Sequence, residues 1–365
     1  MKTFADLVEE VQKPGLCHHC GGCVMFCTAI NYGALEMGED GRPRYKDRDK
    51  CIECGICYAI CPEISELEEE TQKHVSWNPP IGRIIGITAA RSMDPEVRAH
   101  ATDGGVVTAL LLNLLNRGLI DGAIVAKRTG LFKKEPWLAR SRDDIMAAAG
   151  FHFDSLHGME LFSEVYSTYS PSIAQLEQVT KDRLTRVAIV GTPCQIRTLR
   201  RLETLGVVPT EAIKYYFGLF CSGNFMFGEK ERQQLETLGN FKWEEVHKIN
   251  LKEELMIHLH NRETRFIPLD KLDFMKRRAC YYCLDYSGEF ADLSFGGIGA
   301  EEGWTTVITR SRLGQTLWTR AIGKYIEEYN AKINPNFRKE ALAKVLQHSD
   351  LKKQKARVQR EKMVA

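Results

Sequence analysis

The 365-residue chain lacks most features that direct a protein to a membrane, a polyanion or an oxidising compartment. No apolar run approaches the ~18 residues of a spanning helix, so no direct membrane span is expected. Lysine plus arginine (50) almost balance aspartate plus glutamate (48), leaving a net charge of +2, and nothing in that balance points to nucleic acid. The opening MKTFADLVEEVQK is amphipathic through Phe4, Leu7, Val8 and Val11 and lacks the basic-then-apolar layout of a leader. The expected localisation is therefore cytoplasmic, with any membrane attachment made through a partner. The G-x-G-x-x-G dinucleotide fingerprint is missing. Ten histidines show no metal-ligand spacing: His258 and His260 share one face of a strand pattern and read as solvent-facing. No hydrogenase, formate or sulfite active site is recognisable, which suggests a subunit rather than a self-contained enzyme.

What the chain does have is cysteine: twelve, in a setting that disfavours disulfides and implies a reducing, oxygen-poor compartment. Eight lie in CHHCGGCVMFC (17–27) and CIECGICYAICP (51–62), two copies of C-x2-C-x2-C-x3-C. Three thiolates two residues apart wrap one loop around a cubane, and the fourth starts a helix leading to the other cluster. Cys17, Cys20, Cys23 and Cys61 are therefore expected to hold one 4Fe-4S cluster, and Cys51, Cys54, Cys57 and Cys27 the other. Zinc ribbons use C-x2-C pairs and do not match. Small residues between the ligands (Gly21, Gly22, Gly55) let backbone N–H groups approach the sulfurs, and His18 and His19 stand where they could modulate one. The segment resembles the bacterial-type two-cluster ferredoxin family. The second copy has the family's proline after its last cysteine (Pro62), whereas the first has Thr28, which changes the local turn and not the ligand count.

The fold class expected is α/β: a ferredoxin-like two-cluster domain followed by an α/β domain with a small antiparallel insertion. The expected divisions are 1–75, 82–330 and a helical basic tail at 331–365, with PEISELEEETQK (62–73) and the Pro79-Pro80 stretch between the first two. Strands are predicted at 83–90, 120–127, 186–191, 213–223, 290–297 and 305–311, and helices at 1–13, 102–118, 191–206, 314–330 and 338–348. The alternation implies a mostly parallel sheet, and 246–270 reads as the antiparallel insertion. Thr192, Pro193 and Gln195 form an unusually clear helix start. The last stretch, LKKQKARVQREKMVA, is basic and polar and reads as solvated.

Four cysteines remain: Cys194, Cys221, Cys280 and Cys283. Cys194 falls in the first turn of its helix, where free N–H groups favour a thiolate. Cys221 follows a strand at the carboxyl edge where α/β sheets place their sites. Cys280 and Cys283 form a C-x2-C pair. By spacing alone, four thiolates suit a cluster or zinc equally, and buried structural thiols are the plainer role.

The motifs TDGGVVTALL (102–111), YSTYSPS (166–172), GTPCQIRTLRR (191–201), GLFCSGNF (218–225), CYYCLDYSGEFADLSFGGIG (280–299) and GWTTVITR (303–310) resemble the beta-subunit family of coenzyme F420 hydrogenase/dehydrogenase. The resemblance runs from about residue 83 to residue 311. It implies FAD, a third 4Fe-4S cluster on Cys194, Cys221, Cys280 and Cys283, and coenzyme F420 as the small-molecule hydride carrier. The domain 82–330 then reads as flavin-binding. Candidate cofactor contacts are Thr102, Asp103, Gly104, Gly105 and Thr108 in a glycine turn before a helix, where N–H groups can close on a pyrophosphate. Ser167, Tyr169, Ser170, Gly191, Thr192 and Asn224 join them, with Asp292 as a further orienting candidate and buried turn roles as the alternative. Arg91, Lys127, Arg128 and Arg197 are candidates for the carrier's acidic groups. No catalytic residue stands out.

The function implied is an F420-type flavin-dependent oxidoreductase subunit. It would move electrons between reduced F420 and a chain of clusters leading to other redox subunits. The alternatives are a ferredoxin-linked relative and a non-catalytic electron relay.

Overall fold

A computed structural model describes residues 1–38, 40–130, 133–150, 172–207, 210–226, 228–330 and 332–364. The first helix, Phe4–Leu7, is capped by Thr3 and Asp6 and runs on as a wider helical turn, Val8–Gln12. Its apolar residues Phe4, Leu7 and Val11 pack on Leu35, Tyr58, Cys27 and Cys57. Gly21 (φ 76°) and Gly55 (φ 72°) occupy equivalent left-handed positions and start the short helices Gly22–Met25 and Ile56–Ala59. A residue with a β-carbon adopts that conformation at a cost. Where the second copy turns at Pro62, the first continues as a helix, Phe26–Asn31, and the Thr28 hydroxyl donates to Leu35 O at 2.5 Å. Leu35 begins a two-stranded hairpin, β1 (Leu35–Met37) and β2 (Pro43–Tyr45).

Beyond the helix Glu68–His74 lie β3 (Gly86–Ser92), β4 (Gly122–Gly130), β5 (Lys133–Ala139), β6 (Val187–Gly191) and β7 (Ile213–Leu219). The antiparallel insertion is β8 (Val246–Leu251), β9 (Glu254–Leu259) and β10 (Thr264–Pro268), followed by β11 (Leu293–Gly296), β12 (Thr305–Thr309) and β13 (Ile326–Glu328). Among the described residues the large sheet runs β13-β3-β12-β11-β7-β6-β4-β5. Strands β11, β7, β6 and β4 are mutually parallel, and β12, β13 and β5 pair antiparallel with their neighbours. The sheet alternates faces with the strand period of two. Ala188 faces the helix Val106–Asn116, while Val187 and Ile189 face the helix Pro193–Thr204. The ferredoxin segment packs on that second face through Met25, Phe26 and Ile60.

An ionic contact ties the same junction. Arg197 and the fully buried Arg201 share one oxygen of Glu68, and Arg201 also donates to Cys61 O.

The structure departs from the sequence reading in four places. The sheet is mixed and not mostly parallel: three of its pairings are parallel and four antiparallel, because β12, β13 and β5 return as antiparallel partners at the flanks. The helix expected over 314–330 is Arg312–Ala321; Gly323 (φ 73°) then reverses the chain into β13, whose Ile326 pairs with Ser92 of β3. Strand β5 is absent from the sequence-based expectation; it contains Pro136, and at the edge of the sheet it tolerates the missing donor. The basic tail is solvated on one side only: one helix runs from Phe337 to Val364 and docks along a single face. Ala341, Val345, Ser349 and Ala356 are buried along one face of it, and Lys352 and Arg360 reach into the interior from the same face. No helix among the described residues is long and apolar enough to cross a membrane.

Candidate functional site

All twelve cysteines are free. Burial pushes the Cys17 and Cys57 thiols up to about 12 and Cys221 up to about 11. Thiols so placed stay protonated until a metal takes them, and metal binding then releases the protons. They fall into three groups. Cys194, Cys221, Cys280 and Cys283 line one cavity, Cys27, Cys51, Cys54 and Cys57 line a second, and Cys17, Cys20, Cys23 and Cys61 remain. The groups adjoin one another: Cys20 stands near Cys194 and Cys57 near Cys23. Among the described residues no three His, Cys, Asp or Glu side chains converge on a point where one metal ion could sit. Four thiols are the ligand set that a 4Fe-4S cluster takes.

The third group is assembled by tertiary structure. Thr192 and Gln195 form the capping box that sets the first turn of Pro193–Thr204, and Thr192 Oγ1 lies 3.2 Å from Cys194 Sγ. Cys221 leaves β7, with its N–H donating to Tyr286 O at 2.8 Å. Cys280 accepts from the Asn224 N–H at 3.2 Å, and Cys283 lies 3.5 Å from Asp285 O. Lys352 from the last helix closes the group, donating to Cys221 O at 2.6 Å and Asp285 O at 2.8 Å. Burial alone would lower the Lys352 pKa; negative charge on the adjacent Cys283, Cys221 and Cys280 sulfurs and on Asp285 raises it, so the ammonium is held protonated once those sulfurs are thiolates.

All four thiols open onto one cavity of about 270 Å³ at the carboxyl ends of β4, β6, β7 and β11. The same cavity is lined by Thr102, Asp103, Gly105, Thr108, Gly191, Thr192 and Asn224. Sequence-predicted cofactor contacts and the third thiol group are thus brought together.

Gly104 is different. Its N–H donates to Thr305 Oγ1 at 2.9 Å, and a β-carbon there would strike Ala90 O, so it packs beneath the pocket. Ser167, Tyr169 and Ser170 lie outside the described residues. Asp292 is spent on structure, accepting from Tyr216 N and Ser311 Oγ and pairing with Arg200 at 3.1 Å. Arg91 pairs with Glu327, Lys127 sits 3.7 Å over the Trp137 ring, and Arg197 binds Glu68. The side chain of Arg128 is outside the description. His258 is not solvated as expected; it is half-buried, with Nδ1 3.0 Å from Thr264 Oγ1.

Sequence reasoning missed the pocket's cations. Lys252, in the turn between β8 and β9, lies 3.3 Å from Asp103, which also accepts from Asn250 at 3.1 Å. Lys248 donates to Thr102 O at 2.6 Å, so the insertion grips the glycine turn. At the ferredoxin side, His18 also lines the pocket; its Nε2 lies 2.7 Å from Glu63, which Arg360 holds from the last helix at 2.7 Å. Burial raises the Glu63 pKa, but His18 and Arg360 outweigh it and keep the carboxylate below its usual range. His19 is neutral, pushed down to about 2 by burial and by Arg277.

Comparison with known proteins adds to this geometry. Residues 184–333 match the C-terminal family model of the coenzyme F420 hydrogenase/dehydrogenase beta subunit, and residues 87–163 match its N-terminal counterpart. Residues 9–62 match a 4Fe-4S dicluster domain. The beta subunit of the coenzyme F420 hydrogenase of Methanothermobacter thermautotrophicus is 32% identical over 248 residues, spanning 66% of this chain and 83% of its own. An F420H2 dehydrogenase subunit of Methanosarcina mazei is 25% identical over 316 residues, 84% of this chain and 83% of its own. A solved chain of the F420-reducing [NiFe] hydrogenase complex from Methanosarcina barkeri superposes with a TM-score of 0.67 at 27% identity, covering 78% of this chain and 94% of that one.

Proposed function

From the premise that the chain belongs to the coenzyme F420 hydrogenase/dehydrogenase beta-subunit family and carries a 4Fe-4S dicluster domain, we propose that it is the F420-oxidising or F420-reducing subunit of a larger redox assembly. Membership makes it an electron-transfer oxidoreductase subunit. The finer reading is that FAD and a third 4Fe-4S cluster share the pocket. Bound FAD would exchange a two-electron hydride with the carrier on one side and single electrons with iron–sulfur centres on the other.

One observation carries this reading: a single cavity is lined both by the glycine-turn residues and by Cys194, Cys221, Cys280 and Cys283. A cofactor seated there would need no protein-wide relay to reach the third cluster.

The chain's own residues divide the work. Thr102, Thr108 and Thr192 offer hydroxyls, and Gly191 and Gly105 leave room beside the helix starts. Lys252 offers a cation for a cofactor phosphate and is oriented by Asp103. Leu111, Val190, Leu219 and Phe295 supply apolar wall that excludes water from a ring system. Asn224 and Lys352 hold the loops that carry Cys280 and Cys221.

Anaerobic protein should release roughly one FAD per chain on acid extraction, and its flavin band should bleach with reduced F420 and not with NADH. Flavin absent from protein that retains its clusters would leave an electron relay. Flavin present but unmoved by F420 would point to a ferredoxin-linked donor.

A further inference from the structure

One side chain touches both the third thiol group's helix and a thiol of the ferredoxin segment. Thr198 lies in the helix Pro193–Thr204, one turn after Cys194, and is buried. Its Oγ1 donates to Cys194 O at 2.9 Å and lies 3.6 Å from Cys20 Sγ, within hydrogen-bonding range of sulfur. The approach is tight: a β-carbon at Gly22, next to the Cys20 and Cys23 loop, would be driven into Thr198 Cγ2. The Cys27, Cys51, Cys54 and Cys57 group lines a separate small pocket beside the exposed Ile52.

We propose that Thr198 is a hydrogen-bonding bridge between the third thiol group and the ferredoxin pair, so that electrons cross through the Cys17/Cys20/Cys23/Cys61 cluster and reach the Cys27/Cys51/Cys54/Cys57 cluster only afterwards. The inference rests on the reading that Cys194 and its companions hold a cluster. Each crossing is one electron: one cluster is oxidised by one, the other reduced by one, and no bond is made or broken. The Thr198 hydroxyl has one hydrogen and, once Cys20 is a metal-bound thiolate, two acceptors, the sulfur and Cys194 O. A reduced cluster puts more negative charge on its sulfurs, which draws that hydrogen toward Cys20 and stabilises the reduced form. Thr198 is thus a positioning residue that raises the potential of the nearer ferredoxin cluster.

The test compares wild type, T198V and T198S by iron content and by EPR-monitored redox titration of the whole anaerobic protein. Wild type should contain about twelve irons and show three one-electron waves, as three 4Fe-4S centres require. T198V keeps the shape and loses the hydrogen bond, so it should hold the same iron and move one ferredoxin wave to lower potential. T198S should restore that wave. The third-group wave is identified as the one missing in C194S. About eight irons and two waves in wild type would remove the third cluster and the bridge with it. Three waves that T198V leaves in place, or a shift confined to the third-group wave, would overturn the bridge while leaving the third cluster standing.

Discussion

The two cysteine regions gather their thiols by opposite means. The ferredoxin segment holds eight thiols within Cys17–Cys61, and each loop is shaped by its own glycine at positive φ. The third group draws four thiols from three separated segments and depends on the sheet, a helix N-terminus and a lysine from the far end of the chain. Local spacing therefore specifies the first region, while the second exists only if the α/β domain folds. A site of the first kind survives changes at a distance; one of the second kind is open to tuning by residues far away in sequence.

The largest expected effect separates the regions outright. C194S should lose the third cluster and keep the ferredoxin pair, so iron falls from about twelve to about eight per chain. Loss of all the iron would mean that the two regions fold as one unit.

The next weakens their junction. E68Q leaves the buried Arg201 without its carboxylate and should cost about 3 kcal/mol, the low end for breaking a buried pair, since Glu68 is 23% exposed. It reads out as an earlier thermal transition of the anaerobic protein. The pH dependence has a definite sign. Burial raises the Glu68 pKa, but Arg197 and Arg201 outweigh it and the folded value lies below the usual one. The stabilisation is therefore fully present above the unfolded value of about 4.3 and lost as pH falls through the lower folded value. E68Q should flatten that acid limb, and an unchanged limb would assign it to other carboxylates.

A smaller change tunes one region alone. K352M removes the ammonium from Cys221 O and Asp285 O, so the third-group potential should fall while both ferredoxin waves stay in place. Equal movement of all three waves would indicate a global rearrangement.

The smallest prediction concerns the departure from the ferredoxin pattern. T28V deletes the bond to Leu35 O and should cost about 1 kcal/mol with no loss of iron. Loss of the Cys27 cluster would show that Thr28 is part of the ligand framework.

What the sequence made legible follows the same division. The doubled cysteine motif and the Thr192-Pro193-Cys194-Gln195 helix start are local patterns; the second is the helix start expected, whereas in the first the short helices begin one residue before the third cysteine of each copy and not at the fourth. The antiparallel insertion was also readable from its alternation. Its role as a pocket wall was not, because Lys252 reaches Asp103 only across the folded domain. Gly104 read as a phosphate-binding turn, yet its N–H is taken by Thr305, some two hundred residues later. The last helix was the least legible. Its buried face is Ala341, Val345, Ser349, Lys352, Ala356 and Arg360, spaced as a helix requires but made of small and cationic residues. A search for apolar periodicity passes over such a face. Only the partners, Cys221 O, Asp285 O and Glu63, show why cations belong there.

The central claim is that the pocket's third thiol group is the gate between the hydride carrier and the ferredoxin pair. The most direct measurement is an anaerobic absorption titration of wild type and C194S with reduced F420. In wild type, flavin and cluster bands should bleach together. In C194S the flavin band should bleach while the ferredoxin bands persist, although dithionite still reduces them. Ferredoxin bands that bleach in C194S as fast as in wild type would contradict the account.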